Sequence, residues 1–462
     1  MWQSGCDMSQ EAAETKDDLQ RPVRQALLRT KITVPILRGC LIERSRLTSQ
    51  LDVDLSGCVT LISAPAGFGK TTLIMTWAAR RNGRVAWLSL DESDNDPARF
   101  WQYVTAALQT VSENMGSRIT AVLRNMSSPD WEMVVTQLIN DLIKIPAGNA
   151  PITLVFDDYH LIHANSIHQS LSFLLHHQPP QLHVVILTRS DPPLALARLR
   201  VKGRLHELRA ADLRFTIGEA GDFFRCVLPF DLSGATLKTL SERIEGWAAG
   251  LQLAALSLRG LSAAEADPFV QAFSGAQRYV LHFLLEEVYQ RQPERIRDFL
   301  LQTAVLPTLN PSLCTAVTGY DDAGSILGQL AEQNLFVLPL DEAGQWYRYY
   351  RLFADALRSR LEQTQGHLIP ELHRRAAAWY SEQGVGSALP DLGALLPDPL
   401  TGREVEVLEM IARGLSNQQI ADTLVISVGT VKGHVTHLLD KLDAHSRTAA
   451  VVHAQRLGLL KT

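Results

Sequence analysis

Ala64-Pro65-Ala66-Gly67-Phe68-Gly69-Lys70-Thr71-Thr72 follows the phosphate-loop pattern GxxxxGK[ST] at every position but the first, where Ala64 stands in for glycine. The residue types answer to a chemistry. Backbone N–H groups of 67–71 wrap a phosphate only where the chain turns tightly, which calls for glycine at positive φ, and the following helix turns its positive end towards the anion. These nine residues are expected to hold ATP or ADP, with Lys70 reaching the β and γ oxygens and the Thr71 hydroxyl ligating Mg²⁺. The bland alternative is a Gly-rich strand-to-helix turn with an accidental lysine.

A nucleotide site needs a second half. Ile152-Thr153-Leu154-Val155-Phe156-Asp157-Asp158 is an apolar run ending in two acids; Asp157 is expected to hold Mg²⁺ through water and Asp158 to polarise an attacking water. Leu187-Thr188-Arg189 ends another apolar run with a cation that suits a sensor of the γ-phosphate. Paired acids also end strands in plain turns, and Thr188-Arg189 also suits a solvated strand end; the phosphate loop upstream favours the nucleotide reading. His160, His163, His168, His176 and His177 match no metal-ligand spacing and read as members of a solvated helix and loop.

The last 60 or so residues carry a different signature. Thr401 to Glu404 and Ser416 to Gln419 are two capping boxes, each opening a short helix. The first is expected to bury Val405, Leu408, Ile411 and Ala412 and to end at Gly414; the second buries Ile420, Ala421 and Leu424. After a tight turn at Val425-Ile426-Ser427, a third helix from about Val428 to Leu442 buries Val431, Val435, Leu438 and Leu442. Gly429, Gly433 and Thr436 then share the opposite face, flanked by Thr430 and Lys432. Two such helices at a short turn form a helix-turn-helix, and a small, polar N-terminal half suits close approach to base edges. Gly433 weakens the helix by about 1 kcal/mol relative to alanine, a cost that a purely structural helix would shed. A generic three-helix interaction module is the alternative. A last helix, Ser446 to Leu457, reads equally as a dimer seam or a fourth core helix.

The elements that position these residues follow from periodicity. Apolar runs at 58–63, 85–90, 152–158 and 183–189 alternate with helical stretches, the pattern of a parallel sheet covered on both faces. We divide the chain into a polar, acidic and flexible lead-in (1–25), an α/β nucleotide-binding domain (26–212), a helical domain (213–299), and a further helical module with short strand-like segments NLFVLPL and QWYRYYRLF and a following helix (300–385). A Gly/Pro-rich linker (386–396) and a compact helical unit (397–462) complete it.

Composition bounds the partners. Lys plus Arg number 44 against 49 Asp plus Glu, a net charge of −5, so bulk charge invites no polyanion and a DNA partner must rest on the C-terminal unit. There seven Lys or Arg stand against six Asp or Glu over 401–462; affinity would lean on dimerisation and helix N-termini, with a shallow salt slope. Five scattered cysteines without CxxC spacing argue against a disulfide framework and a zinc site, and for a reducing compartment. No secretion signal or membrane-length apolar run stands in the sequence, so a cytoplasmic location without membrane contact is expected.

LTGREVEVLEMIARGLSNQQIADTLVISVGTVKGHVTHLLDKL closely resembles the LuxR-type DNA-binding domain, with its LTxRExEVL, SNxxIA, TVKxH and KL elements. The resemblance implies contacts to double-stranded promoter DNA from Thr430, Lys432, Gly433 and Thr436; with the helix caps and the neighbouring side chains, the expected DNA-binding set also takes in Ser416, Asn417, Ser427 and His434. SAPAGFGKTTL, LVFDDYH, ILTRSDPPL, LRFT, EGWAAGLQLAAL, FSGAQRYV and YRYYRLFADALR resemble the ATPase part of the large ATP-binding LuxR regulators, relatives of the maltose-regulon activator, themselves similar to STAND switches. That likeness implies a P-loop NTPase sheet, helical and winged-helix domains and a C-terminal helix-turn-helix, in which ADP holds a closed monomer and ATP with inducer gives a self-associating activator able to meet RNA polymerase. Tyr350 stands where those regulators usually carry histidine. The long helical-repeat sensor arm is missing between LHRRAAAWYSEQG and the DNA-binding unit, so no inducer pocket of the usual kind is expected. The leading expectation is a DNA-binding transcription regulator, an activator, in which ATP binding controls self-association and promoter binding and slow ATP hydrolysis serves the switch. The rivals are a constitutive or dominant-negative DNA binder with a degenerate front, and a housekeeping ATPase with a protein-binding tail.

Overall fold

The computed structural model describes residues 27–36, 39–52, 56–80, 84–113, 115–116, 130–146, 150–341, 343–382, 402–412, 415–424, 426–441 and 450–451. The lead-in at 1–25, the linker at 386–396, Thr401, Gly414, Val425, Leu442 and most of the expected last helix lie outside them.

Five strands, β1 (Val59–Ser63), β2 (Val85–Ser89), β3 (Ile152–Asp157), β4 (Leu182–Thr188) and β5 (Leu205–Arg209), form one parallel sheet in the order β2-β3-β4-β1-β5. The expected strands are present; β5, a half-buried edge with the mixed sequence LHELR, gave no apolar run to read. Val59, Leu61, Leu154, Phe156, Val184 and Ile186 face one apolar cluster, and Ile62, Val155, Val185 and Leu187 face another. Burial on both faces explains why these strands read as unbroken apolar runs. The register puts Ser63 opposite Thr188, so the loops leaving β1 and β4 emerge side by side. A ligand cleft is expected at the carboxyl ends of such strands.

Helix α1 (Lys70–Arg80) leaves the loop after β1. Beyond the sheet come helices Ile217–Val227, Gly234–Ile244, α2 (Ala248–Leu258), Ala263–Gln271 and Arg278–Leu284, the last continued by a π-helical turn at Leu285–Tyr289. Helices Glu294–Thr303, Pro311–Thr318 and Ala323–Glu332 then lead into an antiparallel hairpin of β6 (Val337–Pro339) and β7 (Tyr347–Tyr349), followed by α3 (Arg351–Gln365) and Ile369–Glu382. One apolar cluster runs through Trp77, Trp247, Phe299, Phe336 and Trp379, so sheet, helical module and hairpin module share a core.

The cysteines and one histidine depart from expectation. Cys40 and Cys226 are bonded, their Cα atoms 6.2 Å apart across a sequence separation of 186, which no spacing rule would pair. His168 is buried rather than solvated, its Nδ1 2.9 Å from the Tyr159 hydroxyl. No helix among the described residues is long and apolar enough to cross a membrane.

The C-terminal unit comprises α4 (Gly402–Ala412), α5 (Asn417–Leu424) and α6 (Val428–Lys441). Val407, Leu408 and Ile411 are the buried stripe of α4; Val405 is only half-buried and Ala412 is exposed, because the stripe is rotated by a residue from the expected one. The buried Glu404 carboxylate accepts from Lys441 at 2.8 Å, tying α4 to the end of α6.

Candidate functional site

The loop between β1 and α1 turns through two left-handed glycines, Gly67 at φ 75° and Gly69 at φ 79°. A β-carbon on Gly67 would lie 2.6 Å from Ala249 Cβ and 2.9 Å from Trp247 Nε1, so glycine is required there for both conformation and space. Ala64, the departure from the glycine pattern, has no positive φ and is fully buried; a methyl group fits.

Lys70 Nζ turns back into the loop and donates to the carbonyls of Ala64 at 2.7 Å and Pro65 at 3.0 Å. Burial, helped by the nearby Arg189 charge, pushes its pKa down to about 8. Among the described residues this buried ammonium bonds to two carbonyls and to no carboxylate, with Asp157 and Asp158 near enough to act on it electrostatically, an arrangement that suits a phosphate. Thr71 Oγ1 donates to Asp157 Oδ1 at 3.0 Å, so the two expected Mg²⁺ ligands sit together. Burial and the Asp158 charge push the Asp157 carboxyl up to about 6. Asp158 follows at φ 58°, which turns the second acid away from the strand direction, its side chain half exposed. Thr72 is exposed in the first turn of α1, and its carbonyl accepts from Thr76.

Phe68 contributes backbone only. Its ring is fully buried, 6.2 Å from Phe336 and 5.8 Å from Tyr350. Phe336 sits at φ 55°, a strained conformation for a bulky residue, held by rings on several sides: Phe68, Tyr350, Trp247 and Phe353. The loop is thus gripped by two other modules. Trp247 Nε1 donates to the Ala66 carbonyl at 3.0 Å and Ala249 N to the Gly67 carbonyl at 2.8 Å, from the start of α2. The hairpin module adds Phe336 and Tyr350, whose hydroxyl accepts from Arg214 at 3.2 Å. Glu245, just before α2, pairs with Arg348 at 2.7 Å and accepts from the Arg351 N–H at 3.1 Å, fastening helical and hairpin modules together.

Arg189 stands at the end of β4 as expected, half-buried and within the electrostatic reach of Lys70 and Asp158. His160 sits in the same cluster. Burial and the charges of Arg189, Lys70 and Arg291 push it down to about 3, and among the described residues its buried Nδ1 has no hydrogen-bond partner, the Asp158 carboxylate standing 3.8 Å away. Trp247, Phe336, Glu287 and Asn334 were missed by sequence reasoning; the only local signal was a tryptophan set among small residues in Gly246-Trp247-Ala248-Ala249-Gly250.

In the C-terminal unit the second capping box is reciprocal: Ser416 N donates to Gln419 Oε1 at 2.8 Å and Gln419 N to Ser416 Oγ at 3.4 Å. Ser427 caps α6, accepting from Thr430 N at 3.1 Å, with its hydroxyl 2.8 Å from the Thr430 hydroxyl. Val431, Val435 and Leu438 face inward. Gly429, Thr430 and Lys432 are exposed, Asn417, Gly433 and His434 half-buried, and the Thr436 side chain is not among those described. A β-carbon on Gly433 would meet nothing within 4 Å, so nothing inside the described protein asks for glycine there.

Residues 285–369 match the family described as MalT winged helix domain, and residues 398–454 match bacterial regulatory proteins of the luxR family. The chain is 35% identical over 362 residues to the HTH-type transcriptional regulator MalT of Klebsiella pneumoniae, covering 78% of this chain and 40% of that relative. It is 36% identical over 359 residues to MalT of Yersinia enterocolitica, covering 78% and 39%. It therefore spans about 40% of the length of the curated relatives it matches. A STAND protein with a tetratricopeptide repeat sensor from Pyrococcus horikoshii aligns at 13% identity and a TM-score of 0.35, over 92% of this chain and 54% of that one. The resemblance to ATP-dependent LuxR-type regulators holds: the fold joins a five-stranded parallel sheet, helical and winged-helix modules and a LuxR-type helix-turn-helix.

Proposed function

We propose that this chain is a DNA-binding transcription regulator of the MalT-like LuxR type, in which a nucleotide held by the loop 64–72 controls self-association and promoter binding. One observation carries the coupling. The loop is held by the helical module through Trp247 and Ala249 and by the winged-helix module through Phe336 and Tyr350, so what the loop holds bears on how the modules sit.

Gly67, Gly69 and the backbone around them would cradle the phosphates, Lys70 would supply the charge, and Thr71 with Asp157 would hold Mg²⁺. Bound ATP·Mg²⁺ would supply a γ-phosphate whose presence or absence the protein reads. Asp158 would polarise a water for slow hydrolysis, and Arg189 would read the terminal phosphate. A slow turnover suits a switch that needs a long-lived bound state.

At the other end, α6 would enter the major groove with Thr430, Lys432, Gly433, His434 and Thr436, while Ser416, Asn417 and Ser427 would contact phosphates from the helix starts. RNA polymerase is the further partner expected of an activator, and the cytoplasm its place.

Filter binding with labelled ATP tests the first half: wild type should retain the label and Lys70→Ala should lose at least tenfold. A genome-wide map of bound DNA tests the rest. Lys432→Ala should empty the wild-type sites, and Lys70→Ala should thin them; unchanged occupancy in Lys70→Ala would separate the two ends and overturn the coupling.

A further inference from the structure

Arg189 is already engaged by a residue from another module. Its Nη1 donates to the backbone carbonyl of Glu287 at 3.4 Å, and its Nη2 lies 3.8 Å from the Glu287 carboxylate. Glu287 sits in the π-helical turn Leu285–Tyr289, and Arg291, one turn on, grips the same carboxylate at 2.8 Å. A carboxylate therefore stands between two arginines beside the phosphate loop. The backbone of Arg189 is tied to the second module as well: Asn334 Nδ2 donates to its carbonyl at 2.9 Å and to Ser63 Oγ, at the end of β1, at 3.3 Å.

Arginine reads carboxylate and phosphate oxygens by the same donor fork. We infer that Glu287 is the residue by which this site distinguishes a nucleoside triphosphate from a diphosphate, by competing with the γ-phosphate for Arg189. The inference rests on the nucleotide reading above and adds to it the competitor. Arg189 binds a terminal phosphate only by leaving Glu287, and the Glu287 carboxylate repels an added phosphate at the same cation. A diphosphate makes no such demand on Arg189, so Glu287 leaves it alone. The exchange reaches the modules directly. The turn that carries Glu287 continues helix Arg278–Leu284, whose Phe283 packs on Trp247 at 5.5 Å between ring centroids, and Trp247 holds the phosphate loop. When Arg189 lets go of Glu287, one of the ties between sheet and helical module is lost.

Glu287→Gln removes the charge and keeps the shape. The full chain is titrated with ADP and with a non-hydrolysable ATP analogue, each with Mg²⁺, and hydrogen exchange across 285–291 is followed without nucleotide. In Glu287→Gln the analogue should bind about tenfold tighter and ADP within twofold of wild type, and exchange at 285–291 should rise severalfold with no nucleotide present. Glu287→Asp, which keeps the charge, should stay within threefold of the wild-type preference. If wild type binds both nucleotides and Glu287→Gln shifts them equally or not at all, the inference falls and the nucleotide site stands. If Glu287→Asp behaves like Glu287→Gln, the charge competition is likewise wrong. If wild type binds neither, the inference and the reading beneath it fall together.

Discussion

His160 shows how a single side chain registers the charge around it. Burial first, and then the charges of Arg189, Lys70 and Arg291, hold its ring neutral down to about pH 3 against an ordinary histidine value of 6.5, with the Asp158 carboxylate 3.8 Å from Nδ1. The unfolded chain protonates this histidine as pH falls below 6.5 while the folded chain does not, so more protons are bound on unfolding and stability falls with falling pH across the window from 6.5 to 3. The slope from this one group is at most about 1.4 kcal/mol per pH unit. Denaturant titrations of wild type and His160→Gln at pH 7.5 and pH 5 should therefore show a smaller acid-side loss in the variant; parallel losses would mean that the fold does not hold His160 neutral. Lys70 makes the complementary point: a buried ammonium that, among the described residues, bonds to two carbonyls and to no carboxylate is the feature that most directly asks for an anion.

At the scale of elements, α6 and the phosphate loop were legible because each is a local device. The glycine turn, each strand end and the reciprocal capping box at Ser416 and Gln419 are each made by residues a few positions apart, so the chemistry of each is written in neighbouring letters. What grips the loop was not legible, because Trp247 reaches Ala66 over a separation of 181 residues and Asn334 reaches Arg189 over 145. Trp247 and Ala249 could be read only as helix-packing residues, since nothing in an amphipathic pattern says that a helix start abuts a loop of another module. The same distinction bears on glycine. Gly67 is demanded by its neighbours, and Gly67→Ala should cost stability by about 1–2 kcal/mol from the left-handed backbone alone, with a further loss where its methyl meets Ala249 and Trp247. Gly433 is demanded by nothing within the described protein. Gly433→Ala should strengthen α6 by about 1 kcal/mol and yet weaken DNA binding, if the open space is where a groove wall comes. Thermal unfolding and a DNA titration on the same variant settle it; higher stability with undiminished binding would return Gly433 to an accident of sequence.

At the scale of the whole molecule, the segment around residues 40–46 crosses from the sheet to the helical module. Arg44 donates to the carbonyls of Leu213 and Arg214 at 2.9 and 2.8 Å and pairs with Glu219; Arg46 donates to the carbonyl of Asp212 at 2.7 Å and reaches Glu219 at 3.0 Å. The Cys40–Cys226 bond sits on this crossing and joins it to helix Ile217–Val227. A cross-link that closes so long a loop restricts the unfolded chain strongly, and bonds of this kind typically contribute about 2–4 kcal/mol. Cys226 is exposed and Cys40 half-buried, so a small thiol reagent has access without prior unfolding. Dithiothreitol should therefore lower the melting temperature of wild type by several degrees. Cys226→Ser should melt at the lower temperature from the outset and ignore the reagent. The two results are needed together, because a reductant acting through any other cysteine would still shift the variant, and that outcome would remove Cys40–Cys226 as the tie between sheet and helical module.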